Sequence, residues 1–565
     1  MPDRRRFLLS GAVAALPLLG CQPVGGTAHI AGGFLGVGHA RGHMLQPLAS
    51  GKTWSVPTLT RHTDVLIAGG GVAGLAAARA LRLKGVEDFV LLELEDEAGG
   101  NSRGAMVGGI ACPQGAHYLP LPGDDAWEVQ DLLEEFGLRS RQAGRWVYDE
   151  RHLCHSPQER LFFNGEWQIG LLPSQGVGAG TLAQYRQFSV LVANLRRQAR
   201  WTVPASNRPL AHVQQALVAI KFITYLDQHG LTDPHLRWYL NYCCRDDYGA
   251  GIGAVSAWAG IHYFASRHGF AAPGMETAEP EGLLTWPEGN AWLTRRLAAP
   301  LRDRVHRGQV VLRIANAKHG VEVDVFNTGT QTVERWQARR AIVALPIFVA
   351  ARVVQNPPDW LKDAAARTVY APWLVANIHL GAALQDRPGA PPSWDNVLYG
   401  DAQTAPGLGY VDAMHQSLKP VPGATVLTYY RALGDVVAAA DGMAGVSASA
   451  VAGGAMAPVT AGRSGLLTQP WTVWRDAILA ELSAAHPDLA AKTTRIDLTR
   501  YGHAMAVPVP KVNGQIGLKP ISNKGYKLLK TERYQLAHER LNFAHGDWAG
   551  YSVFEEAFTL GHHAA

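Results

Sequence analysis

The chain has 565 residues, 47% hydrophobic and 18% charged, a composition typical of globular proteins long enough for two or more domains. The formal net charge is only +5 and the basic residues are scattered, which argues against a nucleic-acid-binding surface. Among the five cysteines, no two pairs have the spacing of a zinc site, so we expect no metal. The adjacent Cys243 and Cys244 are more typical of buried apolar side chains than of a redox pair.

Residues 1–21 resemble an export signal. Arg4 to Arg6 precede an apolar run, Gly11 to Leu19, that is shorter than the ~20 residues needed to cross a bilayer. The arginines resemble a twin-arginine signal, which exports proteins already folded, and Leu18 to Cys21 resembles a lipobox that places a lipid on Cys21. An uncleaved anchor, or a signal cut elsewhere, is the alternative. We therefore expect a periplasmic protein held to the membrane only by a lipid on Cys21.

Residues 22–62 are rich in Gly, His, Pro and Ser and lack sustained periodicity, so we interpret them as a tether.

The most specific motif follows this tether. An apolar run, Val65 to Ala68, meets Gly69-x-Gly71-x-x-Gly74, and an Ala/Leu-rich segment with helical spacing leads to a second apolar run, Phe89 to Leu92, closed by Glu93. This order predicts strand, tight turn, helix and strand, the unit that binds dinucleotides.

Each residue of the motif has its own role. Gly69 permits the turn, Gly71 lets the backbone approach a pyrophosphate, and Gly74 lets helix and strand pack closely. The helix that begins there offers free N–H groups to the phosphates. Glu93, nineteen residues after Gly74, lies where a carboxylate accepts hydrogen bonds from ribose hydroxyls.

Two long blocks, residues 124–280 and 356–495, carry no nucleotide signature, and we assign them to a substrate domain. The second contains a segment near 435–465 dominated by Ala, Gly and Ser, which we interpret as a flexible insertion. In the first, Asp246 and Asp247 follow Arg245. These carboxylates either contact a cationic substrate or form an arginine-paired network at a helix end, and both interpretations stay open.

The remaining blocks, 63–123, 281–355 and 496–565, form the predicted nucleotide domain. A meander is expected from Val310 to Gln337, followed by a fully apolar strand, Ala341 to Leu345, that returns to a parallel sheet. Later, a strand from Leu541 to Ala544 leads through Gly546-Asp547 into a helix over Ser552 to Ala565. The expected class is α/β (α+β overall).

On three motifs the chain resembles the flavin amine oxidase superfamily. They are the glycine motif with Glu93 and Gly99-Gly100, the segment from Val310 to Pro346, and Phe543 to Asp547 followed by the last helix. The resemblance implies FAD as cofactor and a Rossmann-type FAD-binding domain interleaved with a mixed α+β substrate domain.

The resemblance also implies site residues. Glu93 would bind the adenosine ribose, Asp547 a ribityl hydroxyl, Ala315 would lie against the adenine, and the amide near Phe554 would face the flavin pyrimidine edge. The full set of implied cofactor-binding residues is Gly69, Gly71, Ala73, Gly74, Glu93, Gly100, Asn101, Arg103, Ala315, Gly546, Asp547 and Phe554.

Several positions depart from the family pattern. Asn101 stands where the family has arginine, although Arg103 lies two residues on, and Trp373 to Leu380 has no lysine to hold near flavin N5. His503 therefore becomes the first catalytic candidate, as base or orienting group, with a packed structural histidine as the alternative. His117 and Asn377 are second choices and are equally compatible with satisfied core polar groups.

The implied activity is FAD-dependent oxidation of an amine. A hydride leaves the carbon next to nitrogen, water hydrolyses the imine, and oxygen or another acceptor takes the electrons. Monoamine, polyamine and amino acid remain open as substrates. The alternatives are a desaturase or dehydrogenase acting on C–C bonds, and a flavin-binding partner protein with little turnover.

Overall fold

The computed structural model describes residues 27–46, 54–275, 282–417, 419, 421–435, 462–511, 526–528 and 534–565. The predicted signal with its lipobox, and nearly all of the predicted insertion near 435–465, lie outside these residues. The strands are β1 Ala31–Leu35, β2 Leu59–Ala68, β3 Phe89–Leu92, β4 Gly104–Val107, β5 Ile110–Pro113, β6 Tyr118–Pro120, β7 Arg139–Gln142, β8 Arg145–Tyr148, β9 Glu159–Phe163, β10 Glu166–Ile169, β11 Leu283–Thr285, β12 Val305–His306, β13 Gln309–Ala317, β14 Gly320–Asn327, β15 Thr332–Val343, β16 Val369–Leu380, β17 Asp395–Leu398, β18 Tyr410–Asp412, β19 Thr425–Ala432, β20 Thr493–Val507, β21 Tyr526–Leu528, β22 Tyr534–His538 and β23 Leu541–Phe543.

The α-helices connect and cover these strands. They are α1 His39–His43, α2 Val72–Leu83, α3 Trp127–Glu135, α4 Ala179–Gln198, α5 His212–Val218, α6 Phe222–Gln228, α7 Pro234–Tyr248, α8 Ala257–Ala265, α9 Ala291–Ala298, α10 Ile347–Val353, α11 Asp359–Arg367, α12 Gly462–Thr468, α13 Trp471–Leu482, α14 Leu489–Lys492 and α15 Phe554–Ala564.

The first large sheet carries the glycine motif. Its strands run β12-β3-β2-β15-β23-β22-β21, and β13 and β14 attach through β15. At its centre β2 is parallel to both β3 and β15, and β15 is parallel to β23. The strand–helix–strand unit predicted from the glycine motif is therefore confirmed, and β13, β14 and β15 form the predicted antiparallel meander. The last meander strand and the predicted apolar strand are one continuous strand, β15, which returns to the parallel sheet.

Helices α2, α3 and α15 share one hydrophobic cluster beside this sheet. Leu75 of α2, Leu132 of α3 and Phe558 of α15 are each fully buried in it. Helix α3 therefore packs beside the first sheet, although its residues were assigned to the substrate domain. The domain boundaries stay a prediction, because helical spacing indicates an apolar face but not the sheet on which that face packs.

The second large sheet has the order β1-β20-β16-β19-β18-β17-β9-β10. Strand β16 is antiparallel to both β19 and β20. The predicted boundary at 495/496 falls inside β20, so that strand belongs to this sheet and not to the first one. Helices α4 to α8 pack their aromatic and aliphatic side chains, including Tyr185, Phe188 and Phe222, into one core beside it.

Residues 27–46, expected to be part of a tether, are structured. Strand β1 pairs in parallel with β20, with Ala31 opposite Arg495 and Leu35 opposite Thr499. Leu45 is 6% exposed and lies in the core of the first sheet. This segment thus contacts both halves of the molecule.

Within the described ranges, no helix is both long and apolar enough to cross a bilayer. The same residues contain no cluster of three His, Cys, Asp or Glu side chains suited to a metal ion. Cys243 and Cys244 are buried free thiols, in agreement with the sequence interpretation.

Candidate active site

The turn after β2 has the geometry of a phosphate cradle. Gly69 has φ +103, and a Cβ on Gly74 would lie 1.9 Å from the Gly69 carbonyl oxygen, so neither position accepts a side chain. Gly71 is the N-cap of α2, and no side chain caps the helix. A Cβ on Gly71 would meet only the Gly100 Cα, at 3.8 Å. The uncapped N–H groups and the open space above Gly71 fit the pyrophosphate of a dinucleotide.

Glu93 lies directly after β3 and is 6% exposed. Its Oε2 accepts a hydrogen bond from the Gly70 N–H at 2.8 Å, and its Oε1 accepts one from the Glu95 N–H at 2.8 Å. Burial raises the pKa of Glu93, and these two hydrogen bonds oppose the rise. Each oxygen keeps a second lone pair, so the carboxylate can brace the turn and still accept a ribose hydroxyl.

The loop after Glu93 closes against the glycine turn. The Gly99 N–H donates to the Gly70 carbonyl at 2.8 Å, and Gly100 has φ +58. Arg103 is 7% exposed and donates through Nε to the Gly100 carbonyl at 3.1 Å. Asn101 points elsewhere, since its Nδ2 donates to the Ala504 carbonyl of β20 at 2.7 Å. Asn101, at the position where the family has arginine, therefore does not bond to this loop through its side chain. Arg103 supplies the basic side chain that does.

The later chain segments add to the same region. Ala73 is buried in α2, Ala315 is buried in β13, and Gly546 and Asp547 are buried just after β23. Helix α15 begins at Phe554 with no side-chain cap, which leaves its first N–H groups free. Gly69, Glu93 and Asp547 follow parallel strands and so lie at the same edge of the first sheet, whereas the roles of Ala315 and Phe554 in cofactor binding stay predictions.

The Asp547 carboxylate is held by protein donors. Its Oδ2 accepts from the Tyr370 hydroxyl at 2.6 Å and from the Ile347 N–H at 3.2 Å. Burial favours a higher pKa for Asp547, but His545 and these hydrogen bonds outweigh burial and lower it. Asp547 is therefore ionised at neutral pH, and its contact with a ribityl hydroxyl stays a prediction.

His503 lies on β20 where the register with β16 shifts between Ala371 and Trp373. Its ring stacks on Phe348 at 4.3 Å and meets Tyr370 edge-on at 5.7 Å. Burial, then the charges of Arg463 and Arg352, lower the pKa of His503 to about 4. The imidazole is neutral at pH 7, and its catalytic role stays a prediction.

The two second-choice residues have different surroundings. Asn377 is 1% exposed and accepts a hydrogen bond from the Thr428 hydroxyl at 2.8 Å inside the sheet, which is a structural role. His117 stacks on Tyr430 at 4.3 Å and lies 5.5 Å from Trp394. Burial lowers the pKa of His117 to about 3, so it is a neutral aromatic surface at neutral pH.

Asp246 and Asp247, whose roles the sequence left open, face different partners. Asp247 forms an ion pair with Arg267 at 2.9 Å. Asp246 accepts a hydrogen bond from the Tyr118 hydroxyl at 3.4 Å. Burial, then the charge of Asp247, raise the pKa of Asp246 to about 7.

A second carboxylate, Asp395, was not predicted from the sequence as a site residue. Asp395, at the start of β17, accepts a hydrogen bond from the Tyr242 hydroxyl at 3.5 Å. Burial, then the charge of Asp246, raise the pKa of Asp395. Asp246 and Asp395 keep some exposed surface, although the surrounding protein strongly perturbs their pKa values. Both carboxylates are therefore half-buried ionisable groups in the second half of the molecule.

Aromatic rings stand beside these carboxylates. Tyr118, which bonds to Asp246, lies 5.9 Å from Trp394, and His117 lies between Trp394 and Tyr430. The Tyr430 hydroxyl donates to the Gly115 carbonyl at 3.1 Å, and the Ala116 N–H donates to the Asn101 carbonyl at 2.9 Å. These hydrogen bonds link the aromatic rings to the loop that carries Gly100. No periodic pattern or local motif in the sequence predicts that these carboxylates and aromatic rings lie together.

These features define a dinucleotide-binding sheet joined to a second sheet, with half-buried carboxylates and aromatic rings linked by hydrogen bonds to the cofactor loop. Residues 72–385 match the model of the flavin-containing amine oxidoreductases, and the chain belongs to this family. FAD is the cofactor that the family implies, and the uncapped helix ends and the open glycine turn fit it.

Curated relatives and solved structures agree with this assignment. The chain is 26% identical over 304 residues to the L-amino acid dehydrogenase of Synechocystis sp., covering 52% of this chain and 58% of the relative. It is 23% identical over 301 residues to flavin-containing amine oxidase B of Bos taurus, covering 52% of each. The chain thus spans about half the length of the curated relatives it matches.

The solved structures show the same fold over a larger share of the chain. Putrescine oxidase bound to putrescine superposes with a TM-score of 0.59 at 17% identity, covering 89% of this chain and 98% of that one. Cyclohexylamine oxidase from Brevibacterium oxydans IH-35A gives 0.57 at 16% identity, covering 89% and 97%. A fatty acid isomerase from P. acnes gives 0.58 at 14% identity, with the same coverage.

Proposed function

We propose that the protein oxidises an amine that binds as a cation and is held by Asp246 and Asp395. The observation that carries this proposal is the pair of half-buried carboxylates, in which, in addition to burial, the charge of Asp246 raises the pKa of Asp395 and that of Asp247 raises the pKa of Asp246. Two like charges at short range in a buried site stay ionised only when a cation joins them. A protonated amine supplies that cation.

The aromatic side chains support the same ligand. Ammonium groups bind to the faces of Trp and Tyr rings within about 6 Å of the ring centroid. Trp394, Tyr118 and Tyr430 lie beside the carboxylates. An apolar substrate would leave Asp246 and Asp395 without compensation, which disfavours a C–C desaturase. The carboxylate of an amino acid would be repelled by the same pair, so we favour an amine that lacks one.

The chain's own residues would bind, orient and deprotonate the substrate. Bound FAD would supply the acceptor for a hydride from the carbon next to the amine nitrogen. With a pKa of about 7, Asp246 is suited to take a proton from the ammonium before that step. His503, neutral at pH 7, remains a candidate for orienting the reacting groups. Water would then hydrolyse the imine, and oxygen or another acceptor would take the electrons.

Anaerobic reduction of the flavin tests this proposal. The purified protein is mixed with a diamine, a monoamine and an L-amino acid, and bleaching of the flavin absorbance is followed. We expect amines to bleach it. Asp246→Asn should raise the half-saturating amine concentration by about 10- to 100-fold, since a buried charge-assisted contact contributes ~1.5–3 kcal/mol.

The matched control is Asp227→Asn, at an Asp whose side chain is 58% exposed and paired with Arg237 on the surface. It should leave the half-saturating concentration unchanged. If no amine bleaches the flavin while FAD stays bound, amine oxidation is refuted, and the C–C oxidoreductase or a partner protein with little turnover replaces it. An unchanged response of Asp246→Asn would remove Asp246 from the site.

We also propose that the protein is exported folded and anchored in the periplasm through Cys21. The arginine-rich start and the lipobox-like sequence support this. Cys21→Ala should move the protein from the membrane fraction to the soluble periplasmic fraction, whereas Cys154→Ala should not. Retention of Cys21→Ala in the membrane would contradict lipid anchoring.

A further inference from the structure

We propose that residues 31–45 form a strap that retains the adenosine end of FAD by fixing the loop after Glu93. This inference concerns cofactor retention and does not depend on which substrate the protein oxidises. Its basis is the way the segment is attached at both ends.

One end of the strap is fastened to the second sheet. Strand β1 pairs in parallel with β20 over five residues. A Cβ on Gly32 would lie 1.8 Å from the Ile496 carbonyl oxygen, so this approach requires glycine. The neighbouring Gly33 has no atom within 4 Å of its Cβ position and imposes no such limit.

The other end is fastened to the cofactor loop. The Gly38 N–H donates to Glu95 Oε1 at 2.9 Å. Arg41 bonds the Leu94 carbonyl at 3.1 Å and pairs with Asp96 at 2.8 Å. Leu45 then enters the core of the first sheet.

The loop so held carries the predicted ribose acceptor. The strap contacts begin at Leu94, one residue beyond Glu93, and the Glu95 N–H that follows donates to Glu93 Oε1. The strap also contacts Arg103, whose Nη1 donates to the Gly36 carbonyl at 3.5 Å. Fixing Glu95 therefore fixes both the Glu93 carboxylate and the arginine of the glycine loop. When a loop is already fixed in its ligand-bound geometry, binding does not have to order it. The bound state is then more favourable, and we expect the ligand to dissociate more slowly.

The test measures FAD release from the full chain by the rise in flavin fluorescence after dilution. We expect Gly32→Ala and Arg41→Ala to release FAD about tenfold faster. Two controls should release it at the parental rate. Gly33→Ala changes the same strand without a clash, and Arg304→Ala removes an ion pair with Glu87 near the opposite end of β3.

Thermal unfolding of each variant without added FAD separates release from general loss of stability. Faster release by both strap variants, with melting temperatures close to those of the controls, supports the strap. Parental release rates in both Gly32→Ala and Arg41→Ala overturn it. Equal acceleration in the controls overturns it as well, because release would then follow overall stability.

Discussion

Gly561→Ala offers a sharp test of how the last helix completes the first sheet. Helix α15 packs on α2, and a Cβ on Gly561 would lie 2.1 Å from the Ala73 carbonyl oxygen and 2.8 Å from its carbon. Non-bonded heavy atoms rest at about 3.5 Å or more, so the helices must move apart. The neighbour is backbone and cannot rotate away. Overpacking of this kind costs up to ~3 kcal/mol, against a gain of ~1 kcal/mol from replacing glycine by alanine in a helix.

We therefore expect Gly561→Ala to lower the free energy of unfolding by about 2 kcal/mol. The assay is chemical denaturation followed by tryptophan fluorescence. The matched control is Gly180→Ala in α4, where no atom lies within 4 Å of the Cβ position, and it should be neutral or stabilising by up to ~1 kcal/mol. Unfolding of Gly561→Ala at or above the parental denaturant concentration would refute the close packing of α15 on α2.

Four further expectations concern single side chains. In Glu93→Gln the amide NH₂ faces one of the two backbone N–H groups that now donate to Glu93, and two donors cannot bond to each other. The free energy of FAD binding, measured by equilibrium titration, should therefore become less favourable by ~1–3 kcal/mol. Arg267→Met leaves Asp247 buried without its cation and should lower the free energy of unfolding by ~3–5 kcal/mol, measured by denaturation at pH 7. Asn101→Ala removes the bond to the Ala504 carbonyl and should cost ~1 kcal/mol by the same measurement, while FAD stays bound because Arg103 serves the loop. Asp246 has its pKa raised from 3.8 to about 7 in the folded, amine-free protein; the folded state therefore binds more protons than the unfolded state between these values, and stability should fall as pH rises through this window. The half-saturating amine concentration should fall over the same window as the carboxylate ionises, and Asp246→Asn should weaken both trends.

The predictable parts of the fold are those whose sequence patterns lie within a short stretch of the chain. Strand β2, the glycine turn and β3 follow each other within thirty-odd residues, and each glycine has a backbone reason that is independent of the rest of the chain. The meander could be predicted because apolar and polar residues alternate in strands with one exposed face. The return of β15 to the parallel sheet could be predicted because an uninterrupted apolar run is typical of a strand buried on both faces.

The rest depended on contacts between distant residues. Asp246 lies in the last turn of a helix and Asp395 begins a strand, and nothing near either residue in the sequence shows that the charge of one affects the other. Strand β1, Ala-Gly-Gly-Phe-Leu, reads as a loop because glycines weaken a strand. It forms a strand only because Gly32 allows a close approach to Ile496. The predicted boundary at 495/496 lies inside β20 for a similar reason, because the sequence of a strand does not show which sheet the strand joins.

The central strands β2, β15 and β23 have an implication for biosynthesis. They lie side by side, yet the ribosome makes β23 almost five hundred residues after β2 begins. Pairings between such distant segments form late and slowly. Asp547 and the first turn of α15 follow β23, so no nascent chain shorter than this can present the whole cofactor cradle. FAD must therefore be captured by a chain whose translation has already passed these residues, and early synthesis proceeds with the cradle open.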